Sequence, residues 1–395
     1  MVKKSSKKSH FNSPMRFSHP LLPDLRKVIE RFSPSWKVGM VTKGGITQEY
    51  EKKMSAYLKV RHALSVSSCT TGLVLALRAL NLKGDCLVPS FTFTSTVHAL
   101  IWNQLNPVFV DCHPSRFTVR AQDLSRAFTA KTSAVLVPYI FGNPPPFGEI
   151  QEFCRRKKVP LIVDAAHAFG SMVYGKKPGS FGSVEVFSTS ATKLLCTGEG
   201  GIITTYDSEL KETLLLLREY GHNSQYESKN LGLNGRITEF QAALGIEELS
   251  LLEEHAEKRN ALAKLYQKHL AHLPVSFQEI EEGCRSSYKD FAVVLQKEEW
   301  GNNRDRLRME LERSGIPTRC YFFPPLHRQK FFGMNRGGGK RSDKLPNTEK
   351  ISENILCLPM HYHLRVEEIE KVAEAMTRIF NNIRKYKRNF NEIFA

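Results

Sequence analysis

The stretch VEVFSTSATKLLCTGEGGIITT, from Val184 to Thr205, reads as two short apolar strands joined by a turn that carries a lysine. VEVFST (Val184 to Thr189) is rich in β-branched and aromatic residues, and GIITT (Gly201 to Thr205) returns to that character after a glycine-rich bend. Lys193 therefore sits just beyond a strand end, the place where open α/β sheets bind their ligands. An amine held there in partly apolar surroundings can lose its proton and form a Schiff base with an aldehyde. Most lysines are solvated instead, so Lys193 alone decides nothing. The glycines Gly198, Gly200 and Gly201 would let the backbone pass close to a bound ring.

The same rhythm extends outward from about Tyr50 to Leu252. DCLVPS (Asp85 to Ser90), PVFVD (Pro107 to Asp111), AVLVPYI (Ala134 to Ile140) and PLIVDAA (Pro160 to Ala166) are short apolar runs bounded by turn residues. TGLVLALRAL after Thr70 and GEIQEFCRRKK after Phe147 have helical spacing and supply crossovers. This alternation predicts an α/β fold, a mostly parallel central sheet with helices on both faces. From Ile237 to about Leu273 the pattern becomes one long helix, read as a bridge to a smaller C-terminal α+β domain. There YKDFAVVL and PTRCYFF read as a strand pair, with helices at Asn303 to Ser314 and Val366 to Asn382. The loop NRGGGKRSDKLPN (Asn335 to Asn347) reads as mobile or ligand-gated. The expected division is a basic disordered tail over 1–25, a large ligand-binding domain over 26–255 and a small domain over 256–395.

With 395 residues, 41% of them hydrophobic, the chain has ample material for a core. No run approaches the roughly 18 to 20 apolar residues of a membrane span, and MVKKSSKKSHFNSP at the N-terminus has no apolar secretory segment. A soluble cytoplasmic protein without membrane contact is the expectation. The eight cysteines stand singly, with no spacing that suggests zinc or a redox dithiol, and read as reduced thiols. The net charge of +17 attracts anions, and Lys3, Lys4, Lys7 and Lys8 suit a solvated arm making weak polyanion contact. No groove-reading motif follows that arm.

Four strand ends carry polar groups that fit one ligand. In SVSSCTTG (Ser65 to Gly72) a strand gives way to a helix, and Ser68, Thr70 and the free helix-start amides form a phosphate cradle. The same hydroxyls are also the commonest helix caps. In VDAAHAFG (Val163 to Gly170) Asp164 closes a buried strand and can hold a protonated ring nitrogen, with His167 three residues on. The third end is that of Ser188 and Lys193, and the fourth carries Phe93 in PSFTFTST, a ring able to stack on a heterocycle or to serve as core. Phosphate donors, a ring-nitrogen carboxylate, a stacking aromatic and an aldehyde-binding amine are together the requirements of pyridoxal 5'-phosphate (PLP).

With those motifs in order, the sequence resembles the DegT/DnrJ/EryC1/StrS aminotransferases. SSCTTGLVLAL, VPSFTFTSTVHAL, NPVFVDCHP, VDAAHAFGS, FSTSATKLLCTGEGGIITT, LNGRITEFQAALG, GIPTRCYFFPPLH and ILCLPMHYHL carry the resemblance from about Gly39 to Phe380. It implies fold type I and a PLP-dependent aminotransferase moving an amino group from an amino acid, glutamate being the expected donor, to a keto-sugar carried on a nucleotide. It further implies that Lys193 binds the cofactor aldehyde and moves the substrate proton, and that Asp164 pairs with the pyridine nitrogen. His167 would lie near the ring hydroxyl and Phe93 on the ring face. Thr70, the backbone at Cys69, and Ser188 would bind the phosphate. Asn234 would reach the phosphate from the partner subunit, so the resemblance implies a homodimer with shared active sites. The family pattern has glycine where this chain has Cys69, whose side chain either crowds the phosphate or points away. Two rival readings remain open at this level. One is a sugar dehydratase of the same family, in which the resemblance implies histidine where Lys193 stands. The other is a non-catalytic regulatory or nucleic-acid-binding protein, suggested by the basic arm and the charge.

Overall fold

The strands of the first half are too apolar to leave either face in water, and the chain stacks them into one sheet with a core on each side. The structure is a computed structural model that describes residues 15–334 and 344–394. The seven strands of this sheet are β1 (His62–Val66), β2 (Asp85–Pro89), β3 (Asn106–Val110), β4 (Thr132–Pro138), β5 (Leu161–Ala165), β6 (Val184–Ser188) and β7 (Gly201–Thr205). They lie in the order β1-β7-β6-β5-β4-β2-β3. Strands β2 to β6 run parallel, and β7 is antiparallel to both of its neighbours, so β1 points the same way as the rest. The mostly parallel sheet read from the sequence is present.

Side-chain alternation sorts each strand between the two cores. In β4, Val135 and Val137 face one core together with Tyr50 and Phe153, whereas Ala134 and Leu136 face the other with Leu73 and Val97. Helices α1 (Leu25–Lys37) and α2 (Gly45–Leu58) contribute Val28, Tyr50 and Met54 to the first core. Helices α3 (Cys69–Ala79) and α4 (Thr94–Trp102) contribute Leu73, Leu77, Val97 and Leu100 to the second. In β5, Val163 and Ala165 belong to the first core and Ile162 to the second, which puts Asp164 on the α3–α4 side.

The long helix expected from Ile237 onward is two helices, α5 (Glu239–Leu249) and α6 (Leu252–Leu270). A capping box between Thr238 and Gln241 starts α5. It ends because the last amides tighten to i−3 carbonyls, Ser250 to Glu247 and Leu251 to Glu248, while the Ser250 hydroxyl also donates to Glu247 O at 2.7 Å. Helix α6 crosses the expected domain boundary. Leu252 and Ala256 lie in the first core, and Leu262, Tyr266 and Leu270 in a third core formed by the C-terminal part.

That part holds an antiparallel sheet of β8 (Val275–Phe277), β9 (Phe291–Leu295) and β10 (Ile355–Leu358), with β9 in the middle. Its core is shared with α6 and α7 (Val366–Phe394). PTRCYFF is not the partner of YKDFAVVL. Only Arg319 bridges to Cys357, and the chain then turns so that the Phe322 ring stacks on Phe141 at 5.8 Å and meets Phe91 edge-on at 5.5 Å. Of the expected basic tail, residues 1–14 lie outside the described residues. From Met15 onward the chain is packed: Met15 enters the C-terminal core, Met360 N donates to Phe17 O at 3.2 Å, and His361 Nε2 meets Arg16 O at 3.1 Å. Residues 335–343 of the expected mobile loop also lie outside the described residues. No described helix is long and apolar enough to cross a membrane.

Candidate active site

Because β1, β2, β4, β5 and β6 share one direction, their carboxyl ends meet along one edge of the sheet. A cavity of about 330 Å³ opens there, closed on the far side by Lys289, Asp290, Tyr321 and Phe322 of the C-terminal part. All four strand ends singled out in the sequence reach it, through Cys69 and Thr70, Phe93, Asp164 and His167, and Ser188 and Lys193.

Asp164 is buried on the cavity floor. Thr96 Oγ1 donates to its Oδ2 at 2.6 Å, and Ala166 N to its Oδ1 at 3.1 Å. Burial pushes the carboxyl above the ordinary carboxylate range, opposed by these bonds and by Lys193. A buried carboxylate in this balance is stabilised by any cation brought against it. Cys69 lies at the start of α3 with its Sγ against Asp164 Oδ1 at 3.8 Å and Val186 O at 3.5 Å. The thiol therefore points into the sheet, away from the helix-start amides, and leaves the cradle open.

Lys193 is half-buried, on a turn tied shut by Thr197 N donating to Thr189 O at 2.7 Å and Thr189 N to Gly200 O at 3.0 Å. Burial, assisted by the like charge of Lys289, lowers its amine to about 8 from the ordinary 10.5; Asp290, Cys69 and Asp164 oppose the shift. Near neutral pH a useful fraction of this amine is free to act as nucleophile or base.

The cradle is α3's N-terminus. Ser68 Oγ accepts from Thr71 N at 3.0 Å, while the amides of Cys69 and Thr70 have no hydrogen-bond partner among the described residues. Two free amides at a helix start are an anion site. Gly201 is paired with both Val66 and Ser188. A Cβ there would stand 2.7 Å from Phe187 O and 2.9 Å from Cys69 N, so this glycine lets α3 begin against β7. Its clearance serves the protein's own backbone, and Gly198, Gly200 and Gly201 are absent from the cavity wall.

His167 is neutral, its imidazole held well below the ordinary value by burial and by Lys193 and Lys289. Phe93 precedes the first turn of α4 and is 54% exposed at the cavity, its ring 6.4 Å from that of Phe322. Asn234 is not brought to this cavity. It is exposed, paired with Glu219 and accepting from Arg236 Nε at 3.1 Å.

Sequence reading missed Thr96, Lys289 and Asp290. Lys289 Nζ lies 3.0 Å from both oxygens of Asp290, and the pair is buried. The available signal was the charged doublet KD heading the apolar run FAVVL.

The donors fit one cofactor: free amides and Ser188 for a phosphate, Asp164 for a ring nitrogen, Lys193 for an aldehyde. Fold and cavity together mark a pyridoxal phosphate-dependent enzyme. The chain belongs to the DegT/DnrJ/EryC1/StrS aminotransferase family, whose profile matches residues 25–377. It is 29% identical to dTDP-4-amino-4,6-dideoxy-D-glucose transaminase of Escherichia coli over 363 residues, 91% of this chain and 97% of that protein. It is 31% identical to GDP-perosamine synthase of Caulobacter vibrioides over 358 residues, 89% and 94% of the two chains. The crystal structure of DesI in the presence of its TDP-sugar product superposes with a TM-score of 0.89 at 29% identity, covering 97% of each chain.

Proposed function

We propose that this aminotransferase moves an amino group from an amino acid, glutamate being the expected donor, to a keto-sugar carried on a nucleotide, as a soluble cytoplasmic homodimer. The nucleotide-sugar substrate follows from its relatives, which are named for dTDP- and GDP-linked amino sugars. The observation that carries the chemistry is the lowered amine of Lys193 facing the buried Asp164 across one cavity.

Bound there, pyridoxal phosphate supplies an aldehyde that captures amines and a ring that draws electrons from the substrate. In this reading Lys193 Nζ takes the proton from the substrate carbon and returns it, which an amine lowered to about 8 can do at physiological pH. Asp164 would hold a proton on the ring nitrogen, because a buried carboxylate with a firm Thr96 bond favours a cation beside it. The Cys69 and Thr70 amides and the Ser188 hydroxyl would hold the phosphate, Phe93 would lie against the ring, and neutral His167 would offer a ring N–H without adding charge.

The proposal assigns Asn234 to the active site of a second copy. Trp36, Val38, Met40 and Val41 are exposed, and so are Leu231 and Leu233. Thr42 pairs with Thr238 and Lys43 Nζ meets Glu219 Oε2 at 2.9 Å, which sets both apolar segments beside Asn234. An apolar surface of this kind around a polar residue fits an interface between copies.

Lys193→Ala is expected to abolish both turnover and the borohydride-reducible adduct with PLP. Unchanged turnover would refute the assignment.

A further inference from the structure

The segment carrying Lys193 is gripped from behind by two buried side chains. Glu248 on α5 accepts from Cys196 N at 3.0 Å, and His255 on α6 meets the Leu194 carbonyl through Nδ1 at 2.9 Å. Arg259, one turn further along α6, donates from Nε to His255 Nε2 at 3.1 Å. A guanidinium only donates, so Nε2 is the acceptor and Nδ1 carries the proton given to Leu194. Arg259 Nη1 continues the chain to the carbonyls of Tyr288 and Lys289 at 2.9 and 2.8 Å. A continuous run of hydrogen bonds thus joins the main chain beside Lys193 to the main chain of Lys289, the residue whose charge Lys193 feels most.

His255 and Arg259 are each 1% exposed, and no carboxylate lies within ion-pair distance of Arg259 among the described residues. A buried guanidinium without a bonded carboxylate costs stability that an aliphatic residue on the same helix face would not. We propose that His255 and Arg259 are positioning residues for Lys193, a brace that sets its spacing from Lys289 across the junction of the two cores. Lys193 is faced by Lys289 and Asp290 ahead of β9, by Cys69 on α3, and by Asp164 and His167 at the end of β5. His255 is faced by Arg259 and by His361 and His363 from the C-terminal part, and burial holds it down to about 3. It therefore stays neutral, and the direction of the brace does not change with pH near neutrality.

The proposal rests on Lys193 being the aldehyde-binding amine. The test measures the rate at which the cofactor-free full chain captures added PLP, trapped with borohydride, against pH. The wild type should show a midpoint near the Lys193 value of about 8. His255→Leu and Arg259→Met are expected to raise the midpoint by about one unit. That leaves about one-tenth of the amine free at pH 8 instead of half, a roughly fivefold slower capture that disappears at pH 10 and above. His255→Gln, whose amide can donate to Leu194 and accept from Arg259, should keep the wild-type midpoint. An unmoved midpoint in the Leu and Met variants overturns the proposal, as does a Gln variant shifted as far as the Leu variant. Should either apolar variant fail to fold, Arg259→Lys, which keeps the charge but cannot reach all three acceptors, carries the same expectation. A wild type that forms no adduct at any pH overturns the assignment of Lys193 itself, and the brace with it.

Discussion

Replacing Lys289 by methionine separates a structural role from an electrostatic one. Lys289 and Asp290 are 7% and 4% exposed, with the ammonium 3.0 Å from each carboxylate oxygen. At that distance and an effective dielectric of about 20, their attraction is about 5 kcal/mol. Removing one partner of a buried pair leaves an uncompensated charge and costs about 3–5 kcal/mol. Lys289→Met should therefore lose that much stability, measured by urea denaturation of the cofactor-free protein through its tryptophan fluorescence. Adding Asp290→Leu should recover it to within about 1 kcal/mol, because an apolar pair of similar volume replaces a buried ion pair with little loss. The single variant should also titrate Lys193 above about 8, since the charge that lowers its amine is gone and the Asp290 charge that raises it remains. A single variant within about 1 kcal/mol of wild type would refute the buried pair. A double variant as unstable as the single would show that the orphaned carboxylate does not account for the loss.

Asp164→Asn should still bind PLP, seen by its absorbance, while transamination falls on the order of 100-fold or more; a rate near wild type would remove the ring-nitrogen role. Thr96→Val deletes a hydrogen bond to a buried carboxylate worth about 1.5–3 kcal/mol, so activity should fall roughly tenfold or more near neutral pH. The acid limb of its pH–rate profile should also lie above that of the wild type. Burial pushes Glu248 up to about 8 from 4.5, so folding takes up a proton between those values and the stability held by the protonated carboxyl is lost as pH rises toward about 8. Glu248→Gln keeps an acceptor for Cys196 N, and should be more stable than wild type at pH 9 and equal to it at pH 4 in the same denaturation assay.

Much of the architecture was legible because it is written locally. Short apolar strands closed by Pro, Asp, Ser or Gly announce the sheet, and a residue just past a strand end is placed at the ligand edge by chain direction alone. That is why Lys193, Asp164, Ser188, Phe93 and the start of α3 fall into one group on residue order alone. The break between α5 and α6 was less legible, since Ser250 and Leu251 do not interrupt an apolar helical pattern and only the tightened hydrogen bonds show the end. PTRCYFF carries strand-like residues, yet its Phe322 ring packs against Phe91 and Phe141, residues distant in sequence.

By itself the sequence determined the fold class, the family resemblance and the groups able to hold a cofactor, because those depend on residue type and on neighbours a few positions away. Tertiary structure decided the direction of the Cys69 thiol, which depends on how α3 is rotated against β5. It also decided the Thr96 bond to Asp164, which joins residues 68 positions apart. The lowered amine of Lys193 belongs there too. Its causes are burial and a lysine 96 positions downstream in the other part of the molecule, and desolvation and through-space charge leave no trace in local residue order.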